Sequence, residues 1–333
     1  IFLMKKLLIF LFTLLIISCS VESNENKIAI VIHGGAGTIL KENMSPELES
    51  SYIIKLEEAA RAGYDILQNG GSSKNAVEQA IRVMEDSPLF NAGVGAVLTN
   101  DEKVSLDASF MDGKDLNAGA IAGSSFIKNP ITVAIAVMEK SPHVLLSSKG
   151  ADDFAIEMGI DTVPNSYFIT ERRLNSLRRL KNRNSVSYED PFIKDSKFGT
   201  VGSVAIDING NISAGTSTGG TTNKIWGRVG DVPIIGAGNY ANNECCGISA
   251  TGWGEHFIRN VVAYDIAAQM IYKNENIIDA SKKSLDKVRE TGGDGGVIGL
   301  DKNGNVAMEF NTAGMYRAHI DNEGNITIKI YKD

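Results

Sequence analysis

The sequence predicts an α+β protein in which helices cover antiparallel sheets. Its predicted helices and strands are grouped along the chain instead of alternating strictly, which disfavours a doubly wound parallel sheet. Two β-rich segments joined by Asn209-Gly210 have the signature of a hairpin. The 333 residues include 34 glycines and are 43% hydrophobic, which suits a compact fold with many tight turns. No shift in composition marks a boundary between two domains.

The first half of the chain is predicted to contain a buried strand, three helices and glycine-rich strands. The strand occupies residues 27–33. Ser45-Pro46 predicts a helix start, because a capping serine precedes a proline in the first turn, and the Asn-Gly-Gly at 69–71 ends that helix. The pattern further predicts a helix at 73–86, strands at 104–111 and 118–125, and a helix at 130–140.

The second half is predicted to begin with a charged segment and to end in strands. Residues 171–199 carry many charges and lose apolar periodicity, which predicts a solvated helix end followed by a mobile linker. Strands are expected at 200–208, 212–217, near 233–236 and at 246–251, helices at 254–269 and 277–290, and further strands within 296–330.

Charge and composition exclude several kinds of partner and site. The net charge of −7 argues against nucleic acid, since no basic surplus exists to neutralise phosphates. The four histidines are scattered without metal-ligand spacing, which disfavours a zinc site. Adjacent Cα atoms lie about 3.8 Å apart, below the usual disulfide range, so Cys245 and Cys246 are not expected to form a bridge.

Residues 1–19 are predicted to be a lipoprotein-type signal peptide. Lys5-Lys6 precede an apolar run from Leu7 to Ile17, which is too short to span a bilayer. Ser18-Cys19 ends this run and resembles a bacterial lipobox, which predicts lipidation at Cys19. Residues 20–26 are expected to form a short polar tether. The expected location is the bacterial cell envelope, with membrane attachment through the lipid only; the alternative is an ordinary cleaved signal and secretion into the periplasm.

Gly199-Thr200 is the most informative step in the chain, because a charged stretch stops there and a small-residue β segment begins. Glycine has no Cβ, so its carbonyl is open to attack by the threonine hydroxyl. Cleavage at this bond would make Thr200 a new N-terminus. Its α-amine, with an unperturbed pKa of about 7.7–8.0, would then serve as the base for its own hydroxyl. By itself a Gly-Thr step is a weak signal, since most such threonines only start strands.

A serine hydrolase is the rival interpretation. The segment 215–219 matches the G-x-S-x-G elbow with Ser217 as the nucleophile, and the His-Gly-Gly at 33–35 resembles an esterase oxyanion loop. An elbow must open a helix, yet the residues after it lack helical apolar spacing. His256 and His319, the later candidates for the base, lack the loop context of a triad histidine. A protein that only binds ligands is the third hypothesis.

The chain carries seven ordered motifs: HGGAG (33–37), PLFNAG (88–93), GTVG (199–202), GTSTGG (215–220), GRVGD (227–231), ATGWG (250–254) and FNTAGMY (310–316). Together, over a match from about Ile28 to near the C-terminus, they resemble plant-type L-asparaginase/isoaspartyl peptidase, a family of N-terminal nucleophile hydrolases. Lysosomal-type glycosylasparaginases usually carry Asn where Gly219 stands and lack the HGGAG motif, so the chain is more similar to the plant-type branch.

This resemblance implies a particular fold and assembly. The fold would be a four-layer αββα sandwich forming one structural domain. Self-cleavage between Gly199 and Thr200 would give an α subunit of residues 27–199 and a β subunit of residues 200–333. Two such pairs would associate as a dimer of heterodimers.

The resemblance also implies roles for individual residues. Thr200 would be the nucleophile, assisted by Thr218. The Thr251 side chain and the Gly252 backbone N–H would form the oxyanion hole, where donors are worth about 10²–10³ in rate. In the substrate pocket, Arg228 would hold the α-carboxylate and Asp231 the α-amine. Gly254 would line the same pocket.

No cofactor is expected for the chemistry, but the loop 84–94 resembles one that holds a structural sodium ion through backbone carbonyls. The substrates would be small molecules and dipeptides, namely L-asparagine and β-aspartyl dipeptides, with the balance between them open. Trp226 and Trp253 stand beside pocket glycines and could change the size of the leaving group that fits. The carbonyls implied in cation binding are those of Met84, Glu85, Ser87, Phe90, Ala92 and Val94.

Overall fold

The computed structural model describes residues 27–182 and 199–332, which form an αββα sandwich. Two sheets pack face to face in the middle, and helices cover the outer face of each. The strands are β1 Ala29–Gly37, β2 Leu106–Asp112, β3 Ala118–Ser124, β4 Leu145–Ser147, β5 Val201–Ile206, β6 Ile212–Thr218, β7 Asn239–Asn242, β8 Cys246–Gly252, β9 Gly295–Asp301, β10 Val306–Phe310, β11 Gly314–Ile320 and β12 Ile326–Tyr331. The helices are α1 Pro46–Gln68, α2 Ser73–Glu85, α3 Pro130–Lys140, α4 Ser148–Glu157, α5 Glu171–Lys181, α6 Gly254–Asn260, α7 Val262–Lys273 and α8 Ile277–Glu290.

The larger sheet has the order β12-β11-β1-β5-β6-β2-β3-β4, and the smaller has the order β10-β9-β8-β7. Both are antiparallel except for the pairing of β3 with β4. Strands β1, β5 and β6 are therefore neighbours in the larger sheet, and β8 lies in the sheet packed against them. The packing of the two sheets therefore brings the motifs carried on β1, β5, β6 and β8, four distant segments of the chain, to one end of the sandwich.

Apolar layers fill the spaces on both sides of the two sheets. One core lies between the larger sheet and α1, α2 and α3, and includes Leu56 and Phe110. Another, between the smaller sheet and α7 and α8, includes Phe257 and Ile266. The core between the sheets consists of smaller side chains such as Val204. The structure confirms the predicted α+β fold and its four layers.

Helix capping confirms the predicted start of α1. The Ser45 hydroxyl accepts a hydrogen bond from the Leu48 N–H at 3.3 Å, and Pro46 occupies the first turn. The predicted helix at 254–269 is instead two helices, because Val261 adopts a left-handed conformation (φ 48°) between α6 and α7. A β-branched residue is disfavoured there, so its sequence carries no sign of the break.

Two other strand boundaries differ from the prediction. The segment 233–236 forms turns, and the strand lies later, at β7; Ile235 makes only an isolated bridge to Asn239. Strand β1 continues through the glycine motif to Gly37 because β11 pairs with it along that length. The short β4 and helix α4 have no counterpart in the prediction.

The charged segment begins as helix α5, in which Leu177 and Leu180 are buried. The predicted mobile linker otherwise falls on 183–198, and the predicted signal peptide, Cys19 and tether fall on 1–26, all outside the described residues. Within 27–182 and 199–332, no helix is both long and apolar enough to cross a membrane.

Candidate active site

The hydroxyls of Thr200 and Thr218 meet beside the Gly199 carbonyl. Thr200 lies directly before β5 and Thr218 ends β6, its neighbour in the sheet. The Thr200 hydroxyl donates to Thr218 Oγ1 at 3.1 Å, and the Thr218 hydroxyl donates to the Gly199 carbonyl oxygen at 3.2 Å. The Gly220 N–H also donates to Thr218 Oγ1, at 3.0 Å. The structure thus brings the two predicted threonines and the predicted cleavage bond into direct contact.

Asn91 is a second donor to the same carbonyl. Its Nδ2 donates to the Gly199 oxygen at 2.7 Å and to the Gly220 oxygen at 2.8 Å. Its Oδ1 accepts from the Val97 N–H, so the orientation of the amide is defined by its partners. The Gly199 carbonyl therefore has two donors, Asn91 and Thr218, placed where negative charge would develop during attack on this carbon.

The backbone packing at the Gly199–Thr200 bond requires glycine at position 199 and at position 35 of the neighbouring strand β1. Gly199 has φ +135°, and a Cβ there would lie 2.8 Å from the Asn91 Cβ. A Cβ at Gly35, on β1, would lie 2.7 Å from the Gly199 Cα and 3.1 Å from the Thr200 nitrogen. The glycine motif of β1 thus lets its backbone pack directly against the Gly199–Thr200 bond.

His33 links this bond to the second sheet. Its Nδ1 lies 3.0 Å from the Thr200 carbonyl oxygen, and its Nε2 lies 3.0 Å from Ser249 Oγ of β8. Because a carbonyl can only accept, Nδ1 carries the proton and Nε2 accepts from Ser249. Ser249 in turn contacts Thr216 of β6 at 2.7 Å. Burial lowers the pKa of His33 to about 3, so the ring is neutral and this tautomer is stable at neutral pH.

Thr251 and Gly252 end strand β8 on the same side of the sandwich. Thr251 is fully buried, and its Oγ1 accepts from the Ala36 N–H at 3.3 Å, next to the glycine that packs on the cleavage bond. Accepting this bond leaves the Thr251 hydroxyl proton for another acceptor. A Cβ at Gly252 would lie 2.6 Å from the Asp294 carbonyl oxygen, so this position has no room for a side chain.

Arg228, Asp231 and Gly254 form a second cluster. A Cβ at Gly254 would lie 2.8 Å from Arg228 Nη2 and 2.9 Å from Asp231 Oδ1. Gly220 connects the two clusters, because it accepts from Asn91 and its Cβ position lies 3.5 Å from Arg228 Nη1. The predicted pocket residues therefore lie together, beside the threonine pair.

The arginine of this cluster pairs with a residue that sequence reasoning missed. Arg228 donates through Nε and Nη2 to the two carboxylate oxygens of Glu255, at 3.0 and 2.9 Å. A mutual ion pair between Arg228 and Asp231, the simplest explanation of their spacing, is not what forms. Glu255 holds one edge of the guanidinium, while Nη1 lies near Gly220. Glu255 follows the last glycine of a recognised motif, which is the signal that could have found it.

Asp231 is a buried carboxyl group without a full set of partners. Its Oδ2 accepts no hydrogen bond from the described residues. Burial raises the pKa of Asp231 to about 7, and the nearby Arg228 opposes the shift. A cation placed at this oxygen would supply the missing partner and favour the charged carboxylate.

A buried ion pair supports the loop that carries Arg228. Lys224 Nζ donates to the Ser105 carbonyl at 2.8 Å and lies 4.0 Å from Asp107 Oδ2. Asp107 pairs with Thr218 across β2 and β6, so this contact ties the loop to the strand that ends at the site. Trp226, in the same loop, is 96% exposed and does not line the described pocket.

The loop 84–94 curls tightly around its own carbonyl groups. A Cβ at Gly93 would lie 2.3 Å from the Glu85 oxygen, so only glycine fits there. The carbonyls of Leu89, Asn91 and Gly93 all accept hydrogen bonds, and those of Met84 and Glu85 each accept one. Among the described residues, four of the six carbonyls implied by the resemblance accept no hydrogen bond, namely those of Ser87, Phe90, Ala92 and Val94.

Ser217 does not have the surroundings of a hydrolase nucleophile. It lies inside strand β6, fully buried, and its hydroxyl donates to Glu85 Oε1 at 2.6 Å. His256 contacts Thr291 on the other side of the smaller sheet, and His319 lies on β11. The rival serine mechanism is therefore wrong for this segment.

Asn91 and Ser249 are functional candidates to which the sequence analysis assigned no role, and His33 entered only the rival serine hydrolase interpretation. Asn91 and His33 both lie within recognised motifs, so position within a motif was the signal that could have found them. The contact with Ser249 joins residues more than two hundred positions apart, which only the packing of the two sheets shows.

The αββα sandwich, with a threonine opening a central strand of one sheet, is the architecture of the N-terminal nucleophile hydrolases. The family model described as asparaginase matches residues 26–330, so the chain belongs to that family. It is 46% identical over 296 residues to isoaspartyl peptidase of Escherichia coli (strain K12), covering 88% of this chain and 92% of that protein. It is 42% identical to isoaspartyl peptidase/L-asparaginase of Rattus norvegicus, covering 89% and 86%, and 40% identical to that of Xenopus laevis, covering 89% and 93%.

Proposed function

We propose that this protein is a self-cleaving isoaspartyl peptidase and L-asparaginase that uses Thr200 as its nucleophile. The observation that carries the proposal is the arrangement at Gly199–Thr200, where the threonine hydroxyl, a second hydroxyl and an amide donor converge on one peptide bond. The family and the names of its relatives support the reaction class.

Self-cleavage begins with attack of Thr200 Oγ1 on the Gly199 carbonyl carbon. Asn91 and Thr218 donate hydrogen bonds to the carbonyl oxygen and stabilise its developing charge. The C–N bond breaks as the hydroxyl proton passes to the departing nitrogen, which leaves Gly199 as an ester on Thr200. Water then hydrolyses the ester, giving a Gly199 carboxylate and a free Thr200 α-amine.

Turnover reuses the same hydroxyl with the new amine as its base. The α-amine takes the proton from Oγ1 as the hydroxyl attacks the side-chain carbonyl of the substrate, and then protonates the leaving amine. Thr251 and the Gly252 N–H would stabilise the oxyanion, as the hydroxyl proton left on Thr251 allows. Water hydrolyses the resulting β-aspartyl ester and releases aspartate.

Recognition would depend on Arg228 and Asp231, which match the two charged groups of an aspartyl head. The Arg228 guanidinium pairs with the α-carboxylate, and Asp231 with the α-ammonium, which supplies the partner missing from Oδ2. A β-aspartyl bond leaves both groups free, whereas an ordinary α-peptide bond consumes the carboxylate. The pocket therefore favours isoaspartyl substrates and asparagine.

The test is hydrolysis of β-Asp-Leu compared with α-Asp-Leu. We expect cleavage of the β-linked dipeptide alone. Arg228→Ala should lower kcat/KM by at least about 100-fold, because it leaves the α-carboxylate of the bound substrate without its partner. Self-cleavage should be largely kept. Arg289→Ala is the control, since the ion-pair partner of Arg289 among the described residues is Asp286, on the surface of α8. Equal hydrolysis of the two dipeptides would refute this account of the pocket, and no hydrolysis of any substrate would favour a protein that only binds.

The loop 84–94 would hold a structural sodium ion. Its free carbonyls and the close approach of Gly93 fit a hard cation that takes oxygen ligands. The ion would fix the loop that positions Asn91 and takes no part in the chemistry. We further propose that two cleaved chains associate as a dimer of heterodimers.

Attachment to the cell envelope through a lipid on Cys19 is a separate part of the proposal. It rests on the Ser-Cys step that ends the apolar run. Cys19→Ala should move the protein from the membrane fraction to a soluble one without loss of activity, as measured by fractionation and by asparagine hydrolysis. A wild-type protein that is already soluble and lacks acyl chains by mass spectrometry would contradict it.

A further inference from the structure

A cavity of about 130 Å³ lies beside the Gly199–Thr200 bond, on the side of β1. Gly35 lines it and approaches the Thr200 nitrogen, and Asn91 and Gly199 lie in its wall. Arg172 and Arg173, from the start of helix α5, line the same cavity. Neither arginine belongs to the pocket proposed for the aspartyl head.

The two guanidinium groups lack a carboxylate partner within residues 27–182 and 199–332. Arg172 donates to the Tyr52 phenol oxygen at 3.3 and 3.4 Å, and Arg173 donates through Nε to the Gly95 carbonyl at 2.6 Å. Tyr52 is held in turn by its donation to the Leu89 carbonyl and by stacking on Tyr316 at 4.1 Å. Each arginine has five N–H donors, and contacts with described residues use two on Arg172 and one on Arg173, which leaves donors for an anion among these residues.

Charge at the cavity also favours an anion. Burial, together with the positive charge of Arg172, lowers the pKa of Arg173 to about 10. Like charges placed together in a partly buried site are stabilised when an anion binds between them. Guanidinium groups match a carboxylate because two parallel N–H donors meet its two oxygens.

The proposed reaction decides which carboxylate would reach this cavity. The Thr200 α-amine gives its proton to the leaving amine, so the leaving group must lie next to the Thr200 nitrogen. Gly199, which is bonded to that nitrogen, and Gly35, whose Cβ position lies 3.1 Å from it, both line the cavity. An amino acid leaving from a β-aspartyl dipeptide carries a free carboxylate, whereas ammonia leaving from asparagine carries none.

We propose that the cavity is a carboxylate-binding subsite in which Arg172 and Arg173 hold the carboxylate of the leaving amino acid, an inference that rests on the proposed function. The subsite makes dipeptides with a free C-terminus better substrates than their amides. Self-cleavage produces a second carboxylate at the same place, on Gly199, and the experiment separates the two sources.

The first arm compares β-Asp-Leu, β-Asp-leucinamide and L-asparagine with wild-type protein, Arg172→Met and Arg172→Lys. We expect Arg172→Met to raise KM for β-Asp-Leu by about 10- to 100-fold, the range for a charge-assisted hydrogen bond, with partial rescue by lysine. Hydrolysis of the amide and of asparagine should change less than about twofold, since they lack the carboxylate. Arg179→Met is the matched control, because Arg179 lies exposed on the same helix and its side chain bonds, within residues 27–182 and 199–332, to Ser176.

The second arm treats the cleaved protein with a carboxypeptidase and follows the mass of the α subunit. If the Gly199 carboxylate occupies the cavity, wild type resists trimming, Arg172→Met is trimmed, and wild type cleaves the dipeptide and its amide equally well. That outcome keeps the carboxylate subsite and assigns it to Gly199. The inference is overturned if Arg172→Met changes neither substrate selectivity nor trimming. Asparagine hydrolysis by the wild type tests the proposed function separately, because that substrate does not use the subsite.

Discussion

At the scale of single residues, the site combines groups whose surroundings oppose their usual behaviour. His33 is neutral because burial holds its pKa near 3, which fixes the ring as a donor to Thr200 and an acceptor from Ser249. Asp231 is buried with an unpartnered oxygen, a state that costs stability and suits a residue that waits for a cation. Both residues are held in states that serve function at the expense of stability, and both lie at the same end of the sandwich.

The raised pKa of Asp231 gives a prediction about pH and activity. Substrate binding needs the carboxylate, so protonation of Asp231 by itself should lower kcat/KM for β-Asp-Leu by about tenfold per pH unit below pH 7, in addition to any loss from protonation of the Thr200 α-amine. The loss should be in KM, because binding of the ammonium is what weakens. A pH profile of kcat/KM that is flat between pH 5 and 7 would contradict the role of Asp231.

The same shift predicts the pH dependence of stability. The folded protein binds this proton more tightly than the unfolded chain, since the pKa rises from 3.8 to about 7 on folding. The free energy of unfolding therefore falls as pH rises through that window. Asp231→Asn should raise Tm by a few degrees at pH 8 and have little effect at pH 4. The control Asp265→Asn should lower Tm at pH 8, because it weakens the ion pair with Lys287.

At the scale of elements, a chain of hydrogen bonds crosses from one sheet to the other beneath the nucleophile. It runs from the Thr200 carbonyl through His33 of β1 to Ser249 of β8 and on to Thr216 of β6. A Cβ at Gly202 of β5 would lie 2.0 Å from Ser249 Oγ, so the strands fit together only with glycine there. The two sheets thus position Thr200 jointly.

Ser249→Ala tests this positioning role. It leaves His33 Nε2 buried without a donor, which costs about 1–3 kcal/mol, and loosens the ring that holds Thr200. We expect slower self-cleavage and a lower kcat with an unchanged KM. Ser203→Ala is the control, because Ser203 on β5 is equally buried but its hydroxyl has no partner among the described residues. Equal losses in the two variants, or a change in KM alone, would show that Ser249 does not position the nucleophile.

At the scale of the whole molecule, much of the architecture was predictable because local signals and burial agree. The Ser45-Pro46 cap marks α1, and the Asn-Gly turn marks the β5–β6 hairpin, as the structure confirms. The motifs also indicated which threonines and pocket residues lie together. The structure brings them together by packing two sheets whose motifs are far apart in the chain.

Other features could not be predicted, because they depend on long-range contacts. The pairing of Arg228 with Glu255 and the donation by Asn91 to Gly199 join segments that no local pattern relates. The break at Val261 runs against the conformational preference of a β-branched residue, so the local sequence does not mark it. The anion cavity at Arg172 lies at the start of a helix whose charges are otherwise those of a solvated surface.

The central claim is that one threonine hydroxyl cleaves the chain and then performs turnover. The most direct test is the intact mass of purified wild type and Thr200→Ala, with asparagine hydrolysis measured on the same samples. We predict two fragments meeting at Gly199/Thr200 and an active wild type, and a single folded, inactive chain for Thr200→Ala. Efficient cleavage of Thr200→Ala at that bond, or full activity from an uncleaved wild type, would contradict the account.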